Sequence, residues 1–176
     1  MRRVDSVKKK NVDKNMVSNY VKVFFVFLAV IVLVLFLRRW YLNSQELKMN
    51  TPVLEGVVTH QIKSNEIYNF INDNDTALVY MCVANDIVCR DLEKSMKKLI
   101  TNNSLEDVII YLNLSSDDNI LEFYQDLVDR YDYKEELKEY PTFLYFENSK
   151  INKSLSGKDI RVSDVEDFFR EINFIS

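Results

Sequence analysis

The sequence predicts an α/β domain, a central mixed sheet flanked by helices, preceded by one transmembrane helix. Three observations predict it. Residues 23–37 form an unbroken apolar run, VFFVFLAVIVLVLFL. Two nearly all-apolar stretches, ALVYMCV at 77–83 and VIIYLNL at 108–114, are separated by a segment whose apolar residues recur at helical spacing. That is the mark of strands covered on both faces and joined by crossover helices. Nearer the C-terminus, residues 142–146 and 151–155 flank a turn at Asn148-Ser149, a hairpin signal.

The apolar run extends back through Lys22 and Val21 to Tyr20, which makes a helix about 27 Å long at the usual rise per residue. That nearly spans a hydrocarbon core of roughly 30 Å, with Lys22 snorkelling to the near interface. Tyr20 stands at one end and Trp40-Tyr41 at the other, as interfacial anchors do. A cleaved signal peptide needs small residues after the run, and here Arg38-Arg39-Trp40-Tyr41 follow. A core helix would show a polar face, and this run has none. A retained anchor over 20–42 is therefore favoured. Seven Lys/Arg precede the apolar run 23–37 (Arg2, Arg3, Lys8, Lys9, Lys10, Lys14 and Lys22), while Arg38, Arg39 and Lys48 follow it. This bias keeps a basic tail, 1–19, in the cytoplasm and exports the rest. The expected location is the cell membrane, with a single pass.

Charge divides the chain in the same way. Up to Leu42 there are nine Lys/Arg and two Asp, a balance of +7; from Asn43 there are 14 Lys/Arg and 25 Asp/Glu, a balance of −11. The acidic body would repel phosphate backbones, which argues against nucleic acid as a partner.

The exported part reads in order. Residues 43–56 suggest a polar stalk carrying Pro52 and Gly56, and the domain is expected over 57–176. Residues 57–62 (VVTHQI) read as a short strand, and Ser64 can cap a helix with Ile67, Phe70 and Ile71 inward. Asn72-Asp73-Asn74-Asp75 is a turn cluster before the strand at 77–83. From Cys89, the residues Leu92, Met96, Leu99 and Ile100 mark the next helix. After the strand at 108–114, Ser115-Ser116-Asp117-Asp118 offers caps for a helix with Ile120, Leu121, Tyr124, Leu127, Val128 and Tyr131 on one side. Gly157 closes the hairpin. Ser163-Asp164-Val165-Glu166 fits a capping box for a last helix striped by Val165, Phe168, Phe169 and Ile172. The order is β-α-β-α-β-α-β-β-α.

That order, with Tyr140-Pro141-Thr142-Phe143 inside KEYPTFLYFENSKI, resembles a thioredoxin over roughly residues 57–175. In length and layout the chain is also similar to membrane-anchored envelope proteins of this fold, the bacteriocin-transport accessory proteins included. The resemblance implies a cis peptide bond before Pro141. It also implies an active site where the central strand meets the next helix. Thioredoxins carry Trp-Cys-x-x-Cys there, an exposed nucleophile and a resolving thiol. Here the stretch is Asn85-Asp86-Ile87-Val88-Cys89, so Cys89 falls at the resolving position, Asp86 at the nucleophile's and Asn85 at the tryptophan's. Tyr80 takes the place of the buried carboxylate that assists proton transfer in many thioredoxins. A carboxylate cannot attack a sulfur as a thiolate does; Asp86 can instead cap the helix.

Cys82 lies seven residues before Cys89 and has two readings, a small buried core residue or half of an unorthodox Cys82–Cys89 disulfide. One His, His60, and two Cys without a C-x-x-C pair argue against a metal site. Two Gly leave no phosphate-cradling loop, and no cofactor is expected. The departures favour a binding or accessory module for a protein or peptide at the outer membrane face. The resemblance implies that it would grip its ligand with Asp86, Ile87, Tyr140 and Pro141. The alternative is an envelope thiol-disulfide oxidoreductase using Cys89, with Cys82.

Overall fold

The computed structural model of the protein describes residues 14–175, with side chains from Ser18 onward; residues 1–13 of the expected basic tail, and Ser176, lie outside the described residues. The chain divides into two compact units between Glu46 and Leu47. The first is the body of helix α1 (Lys14–Asn50). Its Ser18–Asn50 portion is long and apolar enough to cross a membrane, with a mean hydropathy of 2.9 over its most apolar window. Phe24, Phe27, Leu33 and Phe36 are all exposed, and no part of that window is buried. A helix apolar on every side suits hydrocarbon rather than water.

The second unit holds a five-stranded sheet. In chain order it consists of β1 (His60–Lys63), a 3-10 turn (Ser64–Glu66), α2 (Ile67–Asp73), β2 (Thr76–Cys82), α3 (Ile87–Asn102) and β3 (Ile109–Asn113). It continues with α4 (Ile120–Arg130), β4 (Thr142–Glu147), β5 (Lys150–Ser156) and α5 (Val162–Glu171). The strand order is β1-β3-β2-β4-β5. β3 runs parallel to both β1 and β2, β4 antiparallel to β2, and β5 antiparallel to β4. The sheet is mixed because helical crossovers join its first three strands and a tight hairpin its last two. In that hairpin Asn148 and Ser149 both take positive φ, 53° and 56°, as such turns require.

Strand alternation sends side chains to two separate cores. Leu78, Tyr80, Cys82, Ile109, Tyr111 and Phe143 meet Cys89, Met96, Ile100, Val165 and Phe169 from α3 and α5. Val79, Met81, Ile110, Leu112, Leu144 and Phe146 meet Ile67, Ile71, Tyr124 and Leu127 from α2 and α4. Each large apolar side chain taken fully from water contributes ~1.5–3 kcal/mol. The central strand β2, buried from Ala77 to Cys82, therefore organises the domain.

Four local details differ from the expectations. Where a polar stalk was expected at 43–56, α1 continues to Asn50, and Pro52 and Leu54 are buried. The sequence there looks polar because only those two positions face inward. α4 is capped by Asn119, whose side chain accepts from the Glu122 N–H, rather than by the serines and aspartates before it. α5 starts one residue before Ser163, and Asp164 reaches back to accept from the Arg161 N–H at 2.8 Å. Ser64 does not cap α2; its hydroxyl donates to Asp117.

Candidate functional site

β2 ends at Cys82, residues 83–86 turn, and α3 begins at Ile87. Asp86 is the N-cap of α3, and its carboxylate oxygen Oδ1 accepts from the N–H groups of Val88 at 2.9 Å and Cys89 at 3.0 Å. These are two of the four N–H groups that a helix start leaves unpaired. An extended backbone at Asp86, φ −75° and ψ 135°, aims the short side chain at them. The position expected to lack a nucleophile thus carries a cap.

Cys82 and Cys89 form a disulfide, with their Cα atoms 6.0 Å apart. The pairing that the sequence left open is therefore made, and it closes a small ring across the strand-to-helix turn. Neither cysteine has any exposed surface. A thiolate must reach a sulfur along the S–S axis to exchange, so this bond is shielded from reagents in bulk water.

Beside it lies a group that the sequence reading missed. Glu93 sits one turn after Cys89 on α3 and is fully buried. Its Oε1 accepts from the hydroxyls of Tyr111 at 3.1 Å and Tyr80 at 3.5 Å, and its Oε2 from the Val53 N–H at 2.8 Å. Burial pushes the Glu93 carboxyl above its ordinary range, and the Val53 and Tyr111 hydrogen bonds hold it back only in part. Burial, with the Glu93 carboxylate alongside, likewise raises both tyrosines. Tyr80 is buried in β2, and a carboxylate from the facing helix accepts from its hydroxyl. The signal was present in the sequence: Cys89, Glu93, Met96 and Ile100 are spaced as one helical face.

Arg90 ties this corner together. Its Nη1 donates to three backbone carbonyls, those of Ala84 at 3.0 Å, Thr51 at 2.9 Å and Met49 at 3.1 Å. The other residues singled out in the sequence fall as follows. The Tyr140–Pro141 peptide is cis. Thr142 pairs with Met81, so Pro141 lies at the end of the sheet where β2 gives way to the Cys82–Cys89 turn. Pro141 is buried and Tyr140 half-buried, whereas Ile87 is 72 % exposed. His60 is exposed on the edge strand, level with Ile110 and Val79 rather than with Cys82.

A 1-3-2-4-5 sheet with an antiparallel terminal hairpin, helices on both faces and a cysteine in the first turn of the helix after the central strand decides the architecture. The fold is thioredoxin-like. No family model matches the sequence, and no curated protein does. Among solved structures the chain is similar to mitochondrial thioredoxin 3 from Saccharomyces cerevisiae in its oxidized form, at 13 % identity and a TM-score of 0.42, covering 64 % of this chain and 93 % of that one. It is also similar to Chlamydomonas reinhardtii thioredoxin f2, at 11 % identity and 0.48, covering 66 % and 98 %. Plasmodium falciparum thioredoxin matches at 12 % and 0.45, covering 64 % and 98 %.

Proposed function

We propose that this chain is a membrane-anchored, extracytoplasmic thioredoxin-like module that binds a protein or peptide and does not run dithiol exchange. One observation carries the reading. The position of the attacking thiol is held by Asp86, whose carboxylate occupies the Val88 and Cys89 N–H groups that would otherwise favour a thiolate. The burial of both cysteines in their own disulfide supports it. The neighbouring surface keeps exposed Ile87 next to Asp86, with Tyr140 and Pro141 at the same end of the sheet, and this is where an extended peptide would lie. For the anchor, the support is an all-round apolar helix followed by Arg38-Arg39-Trp40-Tyr41 rather than by small residues.

The test is insulin reduction by the full chain in detergent, with dithiothreitol as the electron source. No turnover above the reagent alone is expected, and a rate matching ordinary thioredoxin would overturn the reading. Asp86→Cys combined with Cys82→Ala is expected to gain turnover. Reporter fusions to each end check the anchor: a periplasm- or surface-active reporter should work only at the C-terminus.

A second reading is favoured by the Cys82–Cys89 bond itself. An envelope thiol-disulfide oxidoreductase could cycle this pair with Glu93 at hand. It requires that Cys89→Ser abolish a measurable exchange activity.

A further inference from the structure

We propose that residues 49–54 act as a latch that gates the Cys82–Cys89 disulfide: latched, the bond is closed to thiols, and unlatched, an external dithiol reaches it. The inference goes beyond the binding role above and does not depend on what the outer face binds.

The latch is fastened to the cystine ring from both sides. Arg90, the residue after Cys89, joins the carbonyls of Met49 and Thr51 to that of Ala84, which lies inside the ring two residues after Cys82. Glu93, one turn on, holds the Val53 N–H. Leu54 has no exposed surface and belongs to the same apolar cluster as Cys82, Cys89 and Leu92. Two hydrogen-bonding side chains and one buried leucine thus fix a segment against the helix turn that contains Cys89. A single Arg nitrogen spans latch and ring, so the side chain that holds Met49 and Thr51 also holds Ala84.

The contacts divide unequally between fold and latch. The Arg90 bonds to Met49 and Thr51 are solvent-exposed, so the latch can open without opening the sheet. The gated step is ordinary exchange. A dithiothreitol thiolate attacks one cystine sulfur, the S–S bond breaks, and the departing sulfur takes a proton from water. The reagent's second thiol then displaces the mixed disulfide and leaves as a cyclic disulfide. Two electrons and two protons pass to Cys82 and Cys89.

The experiment measures the rate of disulfide reduction in the full chain in detergent micelles. Dithiothreitol is added, thiols are trapped with iodoacetamide at intervals, and the mass shift is counted. Wild type is compared with Arg90→Ala, Arg90→Lys and the surface control Lys150→Ala, at the opposite end of the sheet from Cys82. Urea unfolding of each protein supplies its globally unfolded fraction. Losing charge-assisted bonds of ordinary net strength should speed reduction by about tenfold in Arg90→Ala. Arg90→Lys should fall between it and wild type, and Lys150→Ala should not change. Hydrogen exchange at the Val53 amide should quicken in Arg90→Ala together with the reduction rate. Should Arg90→Ala fail to fold, Arg90→Lys carries the comparison. Rates equal to wild type in the Arg90 variants, or rates that rise only in proportion to the globally unfolded fraction, would overturn the latch.

Discussion

Replacing Asp86 by alanine tests the site at its most informative atom. Oδ1 of Asp86 is the acceptor that the structure gives the Val88 and Cys89 N–H groups. Alanine removes that acceptor and leaves both donors at a half-buried helix start. N-cap truncations cost about 1 kcal/mol, up to about 2 where the donors are poorly solvated. Two donors share one cap here, so the upper half of that range applies, which lowers the melting temperature of a domain this size by about 3–6 °C. Asp86→Asn keeps an oxygen in place and should cost no more than a few tenths of that, because the cap depends on the acceptor more than on its charge. Urea unfolding of the oxidised full chain in detergent, followed by far-UV circular dichroism, measures both variants against wild type. If Asp86→Ala costs less than about 0.3 kcal/mol, or Asp86→Asn costs as much as Asp86→Ala, the capping account of position 86 is refuted.

Two further outcomes are expected. Reducing the Cys82–Cys89 bond frees a loop with a sequence separation of 7, and the chain-entropy estimate for so short a ring is about 2–3 kcal/mol; the urea midpoint of the phosphine-reduced chain should fall accordingly, and coincident midpoints would refute it. Burial raises the Glu93 carboxyl in the folded domain, so the native state holds that proton more tightly than the unfolded chain does. The stability from this group is then full below the ordinary glutamate value and is lost as pH rises through the folded one. Glu93→Gln should remove this fall, and wild-type and variant midpoints that run parallel between roughly pH 4 and 8 would refute it.

Most of the architecture was legible because it rests on apolar pattern. ALVYMCV and VIIYLNL announce central strands by having no polar face, and the order of strands, helices and final hairpin follows from their spacing. Cap positions were less legible. Asn119 and Arg161 open α4 and α5 although the neighbouring serines and aspartates are equally good caps in isolation. Which of them is used depends on where the helix must meet the sheet. The segment 49–54 was illegible for a different reason. Its docking relies on main-chain carbonyls and one N–H, held by Arg90 and Glu93 some 40 residues on, and main-chain groups leave no trace in composition. Glu93 had a trace, since it interrupts the apolar stripe of α3. A single polar residue on such a stripe reads as the edge of the buried face until the tyrosines that pair with it, Tyr80 and Tyr111, are known to point at the same spot.

The placement of the two sulfurs explains why the bond at this loop is buried. In a Cys-x-x-Cys turn the first sulfur lies on the outer lip of the helix, where a thiolate is stabilised by free N–H groups and meets solvent. Here the partner of Cys89 is the last residue of β2, facing inward and buried in the folded domain. The bond therefore staples strand to helix from inside the core. The outer end of the turn must satisfy the helix start, and the short Asp86 carboxylate does so with two hydrogen bonds. Ile87, next in sequence, is left 72 % exposed. The cap closes the helix start from outside while the bond closes it from within, so Asp86 and the Cys82–Cys89 pair fix the same turn from two sides.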